Sequence, residues 1–167
     1  MAKIHNDKYY TPEAVVKKVI EVIERDVMPI NKFSRIIEPG AGAGAFLKRL
    51  PEKTIGYDIE PQSENIIKGD YLKQDIPYLK DSLVIGNPPF GESGNLHTEF
   101  IKRSIEHSDY VAFVLPGDMY KKDKFEGIEL HKTYMLPAVK YSGVKLKCCF
   151  NIYRKRKKRV KRLQKFY

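Results

Sequence analysis

Cys148 and Cys149 are the only cysteines in 167 residues, and they sit side by side in an apolar run. Adjacent cysteines supply neither a disulfide framework nor the Cys-x-x-Cys spacing of a zinc site. The four histidines, His5, His97, His107 and His131, are scattered, so no metal centre is expected. Long apolar runs are also missing. No stretch approaches the ~18–20 uninterrupted apolar residues that cross a bilayer, and residues 1–10 are polar where a signal peptide has its apolar core. The expectation is a soluble intracellular protein, in cytoplasm or nucleoid, without membrane contact. Acidic residues are absent from residues 154–167, which hold nine of the 31 basic residues: Arg154, Lys155, Arg156, Lys157, Lys158, Arg159, Lys161, Arg162 and Lys165. Ahead of that run 22 basic residues face 21 acidic ones, so the net charge of +10 belongs almost wholly to it. A terminal run of one sign is either a nucleic-acid arm or a solvated end that aids solubility, and charge alone leaves both readings open.

A hydrophobic content of 42% in a chain of this length suits one compact domain and is too little for two. Thr11 is placed to cap a helix with Pro12 in its first turn, and Val15, Val16, Val19, Ile20 and Ile23 follow at helical spacing, so a helix is predicted to about Asp26. Short β-branched runs follow at residues 35–37, 54–57, 66–67, 83–85, 110–115 and 148–153, each bounded by Gly, Pro or Asp and suited to strands buried on both faces. Residues 44–50 and 96–107 are helical candidates between them. Alternation of this kind predicts an α/β fold with a mostly parallel, doubly wound sheet. Residues 120–141 are less periodic and rich in Lys and Tyr, which reads as a long connection near a binding surface.

Three motifs carry chemistry. Glu38-Pro39-Gly40-Ala41-Gly42-Ala43-Gly44 follows a predicted strand, with G-x-G-x-G spacing in place of the dinucleotide fingerprint. Its glycines let a backbone approach a ligand closely, and its leading carboxylate suits a ligand bearing an ammonium group, although a plain tight turn has the same composition. At the next strand end comes Asp58, followed by Ile59, and an acid there accepts hydrogen bonds from ribose hydroxyls. Asp70-Tyr71 ends a third strand, where the acid suits an adenine amino group and the ring its face. Any one of these acids has a commoner use as a cap or a solvated turn. Three at successive strand ends after a glycine loop form a pattern. The most specific motif is Asn87-Pro88-Pro89-Phe90, at the end of a fourth strand. Consecutive prolines fix the backbone, so the Asn87 side-chain oxygen and the Pro88 carbonyl can converge on the two N–H bonds of a planar amine while Phe90 stacks on its ring.

In this order the motifs resemble those of the S-adenosylmethionine-dependent amino-methyltransferases, and among them the adenine-N6 enzymes. Tyr10-Thr11-Pro12, Glu38 to Gly44, Asp58, Asp70-Tyr71 and Asn87 to Phe90 carry the resemblance, which extends over residues 9–154. Residues 113–120 are similar to the family's strand and loop beside the target pocket, and residues 147–153 to its final, antiparallel strand. The resemblance implies a Rossmann-like class I methyltransferase domain over residues 1–153, a flexible basic tail over 154–167, and no separate target-recognition domain. It implies S-adenosylmethionine as cofactor, held by Tyr10, Thr11, Pro12, Glu38, Pro39, Gly40, Gly42, Asp58, Ile59, Asp70, Tyr71 and Asn87. Asn87, Pro88, Pro89 and Phe90 then form the catalytic set, with no metal.

A base inside a duplex cannot reach such a pocket, so the substrate is expected to be an extruded or unpaired adenine. DNA is placed ahead of RNA. Nucleic-acid contacts are expected from Lys121, Lys122, Lys124, Arg154, Lys155, Arg156, Lys157, Lys158 and Arg159, with affinity dominated by phosphates. The lack of a recognition domain leaves room for a partner subunit. Two other classes fit parts of the pattern: a protein glutamine-amide methyltransferase, which usually carries Tyr where Phe90 stands, and an inactive nucleic-acid-binding subunit, which would be free to lose Glu38 and the Asn87 motif.

Overall fold

The computed structural model describes residues 10–91, 93–141 and 143–157. Seven strands form one sheet: β1 (Arg35–Pro39), β2 (Ile55–Asp58), β3 (Ile66–Lys68), β4 (Ser82–Gly86), β5 (Tyr110–Pro116), β6 (Ile128–Met135) and β9 (Cys148–Lys155). Their spatial order is β3-β2-β1-β4-β5-β9-β6. The pairs among β1 to β5 are parallel, and β9 runs antiparallel to both β5 and β6. A separate hairpin joins β7 (Val139–Tyr141) to β8 (Val144–Leu146).

Alternating side chains send the central strands into two cores. Ile36, Leu83, Ile85, Ala112, Val114, Phe150 and Ile152 face helix α1 (Glu13–Asp26), which buries Val15, Val16, Val19, Val22 and Ile23 against them. Ile37, Val84, Val111, Phe113, Leu115, Cys149 and Tyr153 face helix α2 (Leu96–His107) through Phe100, Ile101 and Ile105. The two cysteines thus point to opposite sides of β9. Among the described residues no helix is long and apolar enough to cross a membrane.

Four expectations from the sequence change. The N-cap position of α1 is Pro12, with no side-chain cap; Thr11 instead turns its hydroxyl to Asn87. The segment 44–50 makes only a 3-10 turn, Leu47–Arg49. Pro51 disfavours helical geometry at Leu50, so too few residues remain for an α-helix. Residues 120–141 are no mere connection: they contain the edge strand β6 and the strand β7. The pairing of β6 with β9 shifts register between Leu130 and Lys132, and this irregularity breaks the alternation that would have marked a strand. Finally β9 runs through Arg154 and Lys155, which by charge alone belong to the tail. Arg154 lies opposite Glu129 and bonds it at 2.9 Å, so a cation is accommodated in the ladder. Lys158 and Arg159 lie outside the described residues.

Ile85 is fully buried between β1 and β5, whereas Ile67 on β3 is 48% exposed. Ile85→Ala is expected to lower unfolding free energy by about 2–5 kcal/mol and Ile67→Ala by about 0.5 kcal/mol or less, measured by urea denaturation. Equal losses would contradict the placement of β3 at the sheet edge.

Candidate functional site

The sheet order reverses direction between β1 and β4, and at such a switch point the loops leaving the strand ends part to form a crevice. A cleft of about 560 Å³ opens there. It is lined by residues at or just past the ends of β1 (Glu38, Gly40, Gly42), β2 (Asp58, Ile59), β3 (Asp70, Tyr71) and β4 (Asn87, Pro88, Pro89), together with Tyr10 and Thr11. Pro12, Pro39 and Phe90 do not line it. Four acids, Glu38, Asp58, Glu60 and Asp70, face the cleft, and among the described residues no Lys or Arg does. The cleft therefore favours a cation.

Gly40, Gly42 and Gly44 all take positive φ (66°, 55° and 81°), which accounts for the G-x-G-x-G spacing. A side chain at Gly40 would start 3.5 Å from Pro89, and one at Gly42 would start 3.7 Å from the Tyr10 ring. The loop is tied from below by Asp58, whose carboxylate accepts from Gly42 N at 2.7 Å and from Glu60 N at 2.8 Å. Glu38 is 3% exposed and accepts from Leu47 N at 3.1 Å. Burial pushes its carboxyl up from 4.5 to about 8, partly opposed by the backbone donors Leu47 and Phe46 and assisted by the Asp58 charge.

At the end of β4 Asn87 Nδ2 donates to Thr11 Oγ1 at 3.0 Å. Fixing the amide nitrogen on Thr11 turns Oδ1 the other way and sets the rotamer of the acceptor. Asp70 caps the 3-10 turn Tyr71–Lys73 by accepting from Leu72 N at 3.0 Å while also lining the cleft. The Tyr71 ring, only 2% exposed, belongs to the core. Its hydroxyl bonds Ser104 at 2.9 Å and His107 Nε2 at 2.6 Å, and the ring stacks on Phe100 with centroids 5.4 Å apart. Apolar surroundings lower His107 to about 4, so it is neutral in this network at ordinary pH.

No family model and no curated protein sequence matches this chain. Solved structures do match. A proposed RNA methyltransferase, PH1948 from Pyrococcus horikoshii, superposes with a TM-score of 0.65 at 16% identity, over 93% of this chain and 88% of that one. A type I restriction-modification methyltransferase subunit from Streptococcus thermophilus gives 0.62 at 16% identity, over 89% of this chain and 45% of its own. Magnesium protoporphyrin IX methyltransferase from Synechocystis, with S-adenosylmethionine bound, gives 0.57 at 11% identity, over 86% and 79%. The fold is a methyltransferase fold. At these identities the likeness concerns the fold.

Within that fold the structure brings together nearly all residues singled out from the motifs, and adds others. Phe46, Glu60, Gly69, Leu96 and Phe100 also line the cleft. Their apolar or acidic character gave no signal, because they reach the cleft by tertiary packing of α2 and of the turns after β1 and β2. Ile59, 62% exposed, offers a large apolar side chain to the cleft. Phe90 packs edge-on against His97, with centroids 5.7 Å apart. Lys121, Lys122 and Lys124 do not line the cleft, and neither do Arg154, Lys155, Arg156 or Lys157.

Glu38 keeps its proton in the fold up to about pH 8, while in the unfolded chain it ionises near its ordinary value of 4.5. Between those values only the unfolded state releases the proton, so Glu38 weakens the native state progressively as pH rises. Glu38→Gln removes that effect. Its melting temperature relative to the parent protein should climb from pH 4.5 to 8 and level off above; a difference independent of pH would contradict the buried, neutral carboxyl.

Proposed function

We propose that the protein transfers a methyl group from S-adenosylmethionine to the N6 amine of an adenine in nucleic acid, with DNA ahead of RNA. The observation that carries the reading is the pairing of two features in one cleft. The lining presents four acids and a positive-φ glycine loop together with Asn87, oriented by Thr11, and the two prolines after it. The cofactor suits this cleft by size, since sites for ligands of its class occupy about 300–1,000 Å³. It also suits it by charge: the cofactor is cationic, and among the described residues the lining holds four acids and no lysine or arginine. In this reading Tyr10, Thr11, Glu38 and residues 40–42 hold the methionine part, Asp58 the ribose, and Asp70, Tyr71 and Ile59 the adenine. The capping and core roles of Asp70 and Tyr71 make them walls of the adenine site, with Ile59 the exposed apolar surface against the ring.

When bound, the cofactor supplies an electrophilic methyl group on a sulfonium. The chain's own contribution is to prepare the amine. Asn87 Oδ1 and the Pro88 carbonyl accept the two N–H bonds, which withdraws the nitrogen lone pair from conjugation and directs it into the cleft. Phe90 holds the base from the side. No strong base is needed, because the amine proton leaves to solvent after the new N–C bond forms. The methyltransferases that share the fold include one described for RNA and one from a restriction-modification system, which agrees with a nucleic-acid substrate.

Incubation with methyl-labelled S-adenosylmethionine and separate DNA, RNA and protein pools should label nucleic acid and yield N6-methyladenine on digestion. Label confined to protein would replace this reading with the glutamine-amide one. Asn87→Ala should lower transfer by about 10²-fold or more while calorimetric cofactor binding persists. Undiminished turnover would remove Asn87 from its role.

A cationic ligand beside Glu38 favours its ionised form. Calorimetry between pH 6 and 8 should therefore show a proton released on cofactor binding, as a heat that depends on the buffer's ionisation enthalpy. Glu38→Gln should abolish that dependence, and its persistence would assign the proton to another group.

A further inference from the structure

Cations on this surface end in two ways. The arginines end on carboxylates: Arg154 on Glu129 at 2.9 Å, Arg156 on both oxygens of Asp123 at 3.0 Å, and Arg103 on Glu106 at 2.7 Å. A group of lysines ends on rings. Lys102 Nζ of α2 lies 6.0 Å and Lys124 Nζ 5.6 Å from the centroid of Phe125, and Lys121 Nζ lies 5.2 Å from that of Tyr120. Among the described residues none of these three lysines is within ion-pair distance of a carboxylate. Two ammonium groups therefore approach one ring, and among the described residues neither is paired with a carboxylate. A ring face attracts each by about 0.5–1 kcal/mol at an exposed site, without occupying its hydrogen-bond donors.

The segment that bears Lys121 and Lys124 is held in place from both neighbouring strands. Asn151 Nδ2 of β9 donates to Met119 O at 2.9 Å, Lys121 N donates to Thr133 Oγ1 of β6 at 3.2 Å, and Thr133 Oγ1 donates to Asn151 Oδ1 at 2.6 Å. Asp123, gripped by Arg156, accepts from Leu130 N at 3.3 Å. Lys121 keeps a φ of 59°, a conformation a non-glycine residue adopts only where its surroundings impose it. Phe125 is 8% exposed and packs edge-on against Tyr153 at 5.8 Å. The lysines thus stand on a preformed base instead of a loose loop.

Helix α2 links this base to the amine-holding motif: it carries Lys102, and its His97 packs edge-on against Phe90 with centroids 5.7 Å apart. A strand whose adenine enters beside Phe90 would run its backbone past this surface.

We propose that Lys102, Lys121 and Lys124, backed by Phe125 and Tyr120, form a phosphate-binding platform that grips the backbone of the target strand beside the adenine pocket. The inference rests on the nucleic-acid reading above and names the group that supplies affinity without reading bases. It adds Lys102, which no charge run in the sequence marks, and it places the grip on ring-held lysines instead of on the ion-paired arginines of β9 and the residue after it.

The test is fluorescence anisotropy of the full chain with a labelled single-stranded oligodeoxynucleotide and the oligoribonucleotide of the same sequence, over a range of salt. The double variant Lys102→Ala/Lys124→Ala should bind about tenfold or more weakly at low salt. Its plot of log affinity against log salt should be shallower by about 0.7 for each phosphate that the variant no longer neutralises. Calorimetric affinity for S-adenosylmethionine should stay at the parent value, which shows the variant folded. Lys17→Ala, an exposed change on α1, should leave the slope unchanged. Weaker binding of both oligonucleotides supports the shared phosphodiester as ligand, and weaker binding of one supports the platform and names its strand. A parent protein that binds and methylates a strand, with a double variant that binds it equally well, overturns the platform alone. An equal weakening in Lys17→Ala also overturns it, by reducing the effect to net charge. A parent protein that binds neither strand overturns the nucleic-acid reading and the platform with it.

Discussion

The buried carboxyl of Glu38, at the carboxyl end of the central parallel strand, fixes more of the site than any other group. It accepts an amide from the turn after the glycine loop, which a short 3-10 turn cannot satisfy with its own carbonyls. A full helix in that place would have had its own N-terminal amides to direct at a ligand. Here the single turn gives an amide to Glu38, and the loop gives Gly42 N to Asp58, so two carboxylates shape the backbone of the cleft. The opposing effect is desolvation, visible in the raised Glu38 carboxyl. A carboxyl held near neutrality in the cleft is poised to respond to a cation, because the same burial that raises it strengthens its attraction for a positive charge.

The second constraint crosses the cleft. Asn87 leaves β4 and Thr11 precedes α1, separated by 76 residues, yet one hydrogen bond joins them. Chain topology makes this contact possible. The first helix packs on the same core as the even-numbered side of β1 and the odd-numbered side of β4, and so delivers its entry segment to the strand ends. The residue that could have capped that helix is used to aim an amide. With Pro12 in the N-cap position, α1 begins at Glu13 without a side-chain cap, and the Pro12 carbonyl accepts from Val15 N and Val16 N.

Much of this was legible in the sequence because parallel strands buried on both faces leave apolar runs with sharp ends. Six strands, both helices after Pro12 and Asn95, and every motif at a strand end could be placed that way. What could not be read was decided by long-range partners. The edge strand β6 buries only Ile128 and has a shifted register, so His131 and Lys132 fall where alternation would fail. Arg154 and Lys155 look like the start of a basic tail until Glu129 is seen across the ladder. Tyr71 looks like a stacking ring at a strand end, and only the approach of Ser104 and His107 shows that its hydroxyl is held in the core. Thr11 followed by Pro12 is a sound helix start by local rules; the departure occurs where a side chain serves the cleft, which is where local and functional demands are expected to part.

Charge in this chain is best understood by what each cation rests on. The segment 52–118, which forms most of the cleft, contains 6 basic and 12 acidic residues, and four acids face the cavity itself. Such a surface repels a polyanion over distances near the Debye length of about 8–10 Å. A nucleic-acid strand brought to this cleft therefore needs a positive surface at its border, close enough to outweigh the acids and rigid enough to set the strand's position. Arginines locked to Glu129 and Asp123 are already neutralised within the protein. Lysines resting on rings are not, because a quadrupole leaves the net charge in place. The aromatic residues under Lys102, Lys121 and Lys124 thus fix where charge stands without neutralising it.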